Sequence, residues 1–259
     1  MSTSFNSIID STIFKFVVGP HKKEYNIHGA ALSRVSRPLD VLLNGEMREA
    51  EEKRVDWSDV EEKTFLRLVQ WAYTKGYGTE EPEIDLDDLS IENPSSRQGD
   101  TEQQHHLLTR PANIKKNGLI KKFLDENVIV KYRTPTSIFT PRINIKSCEN
   151  YTKVFLCHAQ LYVLGDKYDI PSLRKLALHR LHATLKCFTL YPSRFDDIAT
   201  LAKYVFENTV PDDKIRTMIT HYYACIVEDA SKHDGLESLI DENPDFAFGL
   251  ISRMNERLD

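Results

Sequence analysis

Between Phe14 and Tyr77 the apolar residues change their spacing from two to helical and back, and this ordered change restricts the fold more than any other feature. Phe14, Phe16 and Val18 alternate with Lys15 and Val17, the period that buries one face of a strand. Gly19 and Pro20 supply a turn, and a returning strand from about Glu24 to His28 carries Tyr25 and Ile27 on one face. Gly29 then releases the chain to helical spacing at Leu32, Val35, Leu39, Leu42 and Leu43, interrupted at Arg37 and Pro38, where a second short helix should begin. Val55 and Trp57 alternate across Asp56 as a short edge strand. Ser58 and Glu61 have the spacing of a capping box, which predicts a helix starting there. Its stripe is Phe65, Leu68, Val69, Ala72 and Tyr73, and it ends near Gly76. A hairpin, a helix pair, a third strand and a longer helix predict an α+β front half.

The pattern breaks at about Thr79. The stretch EEPEIDLDDLSIEN leads into PSSRQGDTEQQHH, which has too few apolar groups to offset the entropy of ordering it, so this part is expected to lack fixed structure. KKNGLIKKFLDENVIVKY has enough Leu, Ile, Val and Phe for a short helix or strand, and TPTSIFTPRINIKS reads as extended chain. From Tyr151 onward the spacing is helical. Phe155, Ala159, Leu161 and Tyr162 make one face, with Gly165 permitting a close neighbour. Asp169 is expected to cap the next helix, with Pro171 in its first turn and Leu173, Leu176, Ala177, Leu181 and Leu185 as its stripe. Further helices are expected near Phe195–Glu207, Asp212–Ser231 and Leu236–Ile240. The last is capped by Asn243, opens on Pro244 and buries Phe246, Leu250, Ile251 and Met254.

A chain of 259 residues is long enough for a sizeable core. No stretch has the apolar length of a membrane span, and MSTSFNSIID has neither the basic lead nor the apolar run of a secretory signal. A net charge of -5 gives no overall field to gather nucleic acid. Cys148, Cys157, Cys187 and Cys225 are widely spaced without a C-x-x-C pair, which suits reduced thiols in cytoplasm or nucleus. Lys115, Lys116, Lys121 and Lys122 form a basic cluster that reads either as solvated lysines or as a nuclear-targeting patch.

Chemistry is sparse. G-x-S-x-G, H-E-x-x-H, P-loop and G-x-G-x-x-G patterns are missing from the sequence, and the carboxylates Glu80, Glu81, Asp85, Asp87 and Asp88 sit in a polar run. No catalytic residue and no cofactor is assigned. Cys157, His158, His179 and His182 lie on consecutive expected helices and could surround zinc, but they lack paired-ligand spacing and fit the flank of an amphipathic helix. No metal is assigned either. Trp57 and Trp71 read as core anchors.

The order from Phe14 to Tyr77, with His28 closing the second strand, resembles the BTB/POZ domain, a protein–protein interaction module. The fungal branch of that family pairs this segment with a phrase similar to FLCHAQLYVLGDKYDIPSLRKLAL at Phe155–Leu178. The helices after Arg194 resemble, more loosely, the BACK-like extension that follows many such domains. The resemblance implies a small, mostly antiparallel sheet flanked by helical hairpins, followed by an all-helical C-terminal region. It divides the chain into a tail (1–11), a first BTB part (12–78), an insertion (79–150), closing helices (151–186) and a helical extension (187–259). It gives His28 a packing and capping role with burial. Met47, Arg48 and Glu49 match the hydrophobic-x-Glu triplet by which BTB adaptors dock on a cullin, so Met47 and Glu49 are the candidate protein-binding residues. A flexible thioether fills an apolar notch, and a carboxylate adds a charge-assisted hydrogen bond at its rim. Packing and solvated charge are the other reading of the same residues.

Three functions follow from this. The first is a substrate adaptor of a cullin-based ubiquitin ligase, with a cullin and a ubiquitination target as partners. The second is a homo- or hetero-oligomerising scaffold or transcription co-regulator without a ligase role. The third is an enzyme or metal-binding protein on a similar frame. About a dozen residues precede the first strand, too few for a substantial exchanged helix, so a monomer or a dimer through another face is expected. Nucleic acid, membranes and small-molecule substrates are not expected partners.

Overall fold

The computed structural model describes residues 5–86, 105–106, 114–125 and 139–256. In chain order its first elements are α1 (Phe5–Ile9), β1 (Ile13–Val18), β2 (Lys23–His28), α2 (Gly29–Ser33), α3 (Arg37–Asn44), α4 (Arg48–Glu52), β3 (Arg54–Trp57) and α5 (Glu62–Thr74). There follow β4 (Glu83–Ile84), β5 (His105–His106), α6 (Ile114–Leu124), β6 (Glu149–Asn150), α7 (Thr152–Lys167) and α8 (Pro171–Cys187). The remainder is β7 (Thr189–Leu190), α9 (Phe195–Asn208), α10 (Lys214–Ala230), α11 (Asp234–Glu242) and α12 (Pro244–Asn255). The protein is α+β, with a small sheet and predominantly helical structure. It divides into two compact units, one of residues 1–79 and 160–174, the other of residues 80–159 and 175–259.

The first unit is built on a three-stranded sheet of order β2-β1-β3. β1 pairs antiparallel with β2, Phe16 facing Tyr25, and parallel with β3, Phe16 facing Val55. A parallel neighbour needs a crossover, and α2 to α4 supply it. Phe14, Phe16, Val55 and Trp57 are buried as the alternation requires, but Val17, expected on the opposite face of β1 with Lys15, is buried as well, so this end of the strand is covered on both faces; β3 lies at a sheet edge as expected. Phe16, Trp57 and Phe65 form an aromatic triangle with centroids 5.3–5.8 Å apart. Trp57 also stacks on Tyr168 at 4.6 Å, and Trp71 is buried on α5.

Two expected caps are placed differently. α5 starts at Glu62, with Glu61 at the cap position and making no side-chain cap bond. The Ser58 N–H is already taken by the Asp56 carboxylate at 2.9 Å, and the Val60 N–H by the Trp57 carbonyl at 3.0 Å. These bonds make residues 57–60 a turn, so the capping box of Ser58 and Glu61 does not form. Its helix stripe holds at Phe65, Leu68 and Ala72, while Val69 and Tyr73 are half-buried. Asp169, expected to cap α8, instead closes α7 in the left-handed region at φ 47°. Its N–H reaches Asp166 O at 3.0 Å and the Ile170 N–H reaches Gly165 O at 2.7 Å, the paired bonds of a Schellman ending. Gly165 permits the close approach expected of it, since a Cβ there would stand 3.1 Å from Arg174 Cγ.

In the second unit, Leu173 aside, the α8 stripe is buried at Leu176, Ala177, Leu181 and Leu185. β4 pairs with β6 and β5 with β7. The Lys-rich apolar stretch forms a helix, α6, which buries Leu119, Ile120 and Phe123. Phe123 lies against the rings of His182 and His221 at 4.8 and 5.4 Å. The Nε2 atoms of those histidines meet the carbonyls of Phe123 (2.7 Å) and Leu119 (3.0 Å). The stretch expected to lack fixed structure, residues 94–106, lies outside the described residues apart from His105 and His106. α12 opens on Pro244 and buries Phe246 and Leu250, but Ile251 is 59% exposed and Met254 only half-buried. Asn243 makes no side-chain cap bond; its amide donates to Leu239 O at 3.2 Å.

α7 receives its cap from far along the chain. Asp197, 2% exposed on α9, accepts the Tyr151 N–H at 2.6 Å and the Thr152 hydroxyl at 3.3 Å. Buried Arg194 reaches Asp85 at 2.5 Å and stands 3.9 Å from Asp197. Burial pushes the Asp197 carboxyl up to about 6, against the opposing pull of the Tyr151 N–H and Arg194. Asp85, largely solvated, is held below its ordinary range by Arg194.

Candidate protein-binding surface

The sequence assigns no element to the Met47–Glu49 triplet, and the structure places Met47 at the cap of α4 with Arg48 and Glu49 in its first turn. The single apolar side chain inside the helix, Ala50, is buried, and a five-residue helix with one apolar position has no periodicity to read. α3 ends at Gly45, whose N–H reaches Val41 O at 2.9 Å; a Cβ at this glycine would stand 2.4 Å from that oxygen, so the close turn requires glycine. Met47 then takes the cap position of α4 in extended conformation, and its carbonyl accepts from Ala50 (2.9 Å) and Glu51 (3.2 Å). The helix stops at Lys53, left-handed at φ 52°, with its Nζ 5.1 Å from the Phe14 ring centroid.

This geometry leaves the Met47 side chain 45% exposed and Glu49 half-buried in the first turn of α4. Arg48 turns along the helix to Glu52 at 2.6 Å and holds that carboxyl below its ordinary range. Val41, on α3, is 48% exposed. The triplet therefore presents a thioether and a carboxylate on a short helical turn, with its arginine engaged locally.

The other candidates have ordinary structural surroundings. His28 is half-buried rather than buried and stands at the cap position of α2 without a side-chain cap bond. Its Nδ1 lies 2.8 Å from the Tyr73 hydroxyl, which also accepts the His28 N–H at 3.2 Å, so α5 rather than α2 fixes this ring. Cys157 Sγ lies 3.1 Å from Val154 O, the His158 ring is against Phe139 at 5.9 Å, and His182 is held at α6. Among the described residues no group of three or more His, Cys, Asp or Glu is placed to hold a metal ion. Lys122 pairs with Glu256 at 2.8 Å, and Lys121 is exposed. Sequence reading passed over Asp197 and Arg194, because their partners lie 46 and 109 residues away along the chain.

No helix among the described residues is long and apolar enough to cross a membrane. The chain matches no protein-family model, and comparison with curated proteins returns no match.

Proposed function

We propose that the protein is a BTB/POZ-type interaction module, of the fungal kind with a BACK-like extension, and that it acts by binding a protein partner rather than by catalysis. The observation that carries this reading is the projection of Met47, 45% exposed, from the cap of α4, with Glu49 two residues further on in the first turn of that helix. The hairpin, crossover helices and parallel third strand beneath it are consistent with the sheet such a module needs. An apolar notch on a cullin would take the thioether, and a donor at its rim would meet Glu49. The ligase-adaptor role follows from that contact.

Affinity capture with the full chain tests it. Cullin should be recovered by the wild type and lost from a Met47→Ala, Glu49→Ala double variant. Equal recovery by both removes the triplet from consideration. The second reading, a self-associating scaffold or co-regulator, draws on Phe5 and Ile13, 61% and 54% exposed in the first unit. Sedimentation at micromolar concentration separates them: a stable oligomer with no cullin captured favours the scaffold.

A further inference from the structure

The second unit carries a cleft of about 550 Å³ lined by α10, α12 and the turn that follows α9. Its floor lies where α10 and α12 come together, a Cβ on Gly249 standing only 3.2 Å from Thr220 Cγ2. Thr220 lines the cleft and is only 6% exposed. A helical threonine commonly bonds the carbonyl one turn back, as Thr217 does with Asp213 O at 3.2 Å. The Thr220 hydroxyl makes no such bond among the described residues. Its oxygen is not among the buried atoms left without a partner, so it is reached from the cleft and can serve a polar group there as acceptor or donor.

The charges around it select the group. Both arginines of the lining are turned to protein partners. Arg216 lies 4.8 Å from the Phe206 ring and donates to Thr209 Oγ1 at 2.9 Å, to Phe206 O at 2.7 Å and to Thr209 O. Arg253 donates to Glu256 at 3.0 Å, and Lys122 meets the same carboxylate. Two carboxylates keep spare capacity. Asp245 is exposed and meets Arg216 only at 3.4 Å, and Asp212 is exposed in the turn at φ 62°. Phe248, also in the lining, leaves 77% of its surface to solvent. Carboxylates, a hydroxyl acceptor and an open aromatic ring are together the receptor of a cation. A planar guanidinium, which distributes five donors and stacks on rings, fits them better than a compact ammonium.

We propose that this cleft receives an arginine side chain of a partner protein, with Asp212, Asp245 and the Thr220 hydroxyl accepting from the guanidinium and Phe248 lying along it. The lining's carboxylates, Asp212, Asp245 and Glu256, outnumber its arginines, Arg216 and Arg253, by one, which argues for a cationic occupant, and the site uses the second unit alone, so it stands or falls independently of Met47 and Glu49.

The test is an NMR titration of the full chain with acetyl-Leu-Arg-Leu-amide. Saturable shifts should fall on amides of residues 212–220 and 245–252, and the matched citrulline peptide should bind about tenfold more weakly, since a charge-assisted bond is roughly twice as strong as a neutral one. Asp212→Asn with Asp245→Asn should weaken the arginine peptide by a similar factor. Both sites are on the surface, and asparagine tolerates the left-handed conformation at 212, so the fold is retained. Phe248→Ala should weaken it severalfold. Equal binding of arginine and citrulline peptides, preference for acetyl-Leu-Glu-Leu-amide, or no saturable shift into the millimolar range would each overturn the assignment.

Discussion

Replacing Asp197 by asparagine should stabilise the protein at neutral pH, although the change removes a charge next to an arginine. The carboxyl is 2% exposed and its ordinary value of 3.8 is raised to about 6, with burial as the largest cause. A folded-state value above the unfolded one means that the folded chain holds the proton more tightly. The stability this contributes is complete below pH 3.8 and is lost as the pH rises through about 6. Each unit corresponds to about 1.4 kcal/mol, so the ionised side chain costs on the order of 2–3 kcal/mol at pH 7.5. Asparagine keeps an acceptor for the Tyr151 N–H and carries no charge, while Arg194 keeps Asp85. Alanine keeps neither charge nor acceptor, and leaves a buried N–H unpaired at a cost of about 1–3 kcal/mol at every pH. Urea unfolding of the wild type, Asp197→Asn and Asp197→Ala at pH 4.5 and 7.5 reads these differences. The asparagine variant should gain on the wild type as the pH rises, with the alanine variant below the asparagine one throughout. A wild type that gains on the asparagine variant between those pH values would mean that attraction to Arg194 outweighs burial, and the reasoning would be refuted.

Three other outcomes follow from the packing. Phe123→Ala should cost about 3–5 kcal/mol and speed amide exchange across α6, because the ring is fully buried between His182 and His221; exchange unchanged over 114–124 would contradict this placement of the helix. Burial holds the His221 imidazole below its ordinary 6.5, so the stability tied to it is present above that pH and lost as the pH falls below it. His221→Gln should flatten that part of the urea-midpoint profile, and an unchanged profile counts against the account. Gly165→Val should destabilise by about 1–3 kcal/mol, the β-branched side chain colliding with Arg174 at the start of α8; a neutral thermal midpoint would show that the two helix ends separate freely.

Local patterns were legible where one face of an element is buried and the other is not. Phe14 and Phe16 on β1, and Leu181 and Leu185 on α8, were read from spacing because burial alternates or recurs there. Helix ends were less legible. The Ser58 cap failed because Asp56, two residues earlier, competes for the same N–H, and Asp169 suits both a cap and a left-handed ending. α4 could not be read because it has one buried apolar residue, so Met47 and Glu49 were matched as a triplet without the helical turn that presents them. The histidines that meet α6 and the carboxylate that caps α7 depend on partners 46 to 102 residues distant, which no local period records.

The most direct measurement of the proposed role is hydrogen–deuterium exchange of the full chain with and without a purified cullin N-terminal domain. The account predicts slowed exchange over residues 46–53, in a short surface helix with little packing of its own, and no slowing there in the Met47→Ala, Glu49→Ala variant. Cullin-dependent protection that leaves 46–53 untouched, or no protection anywhere, would contradict it.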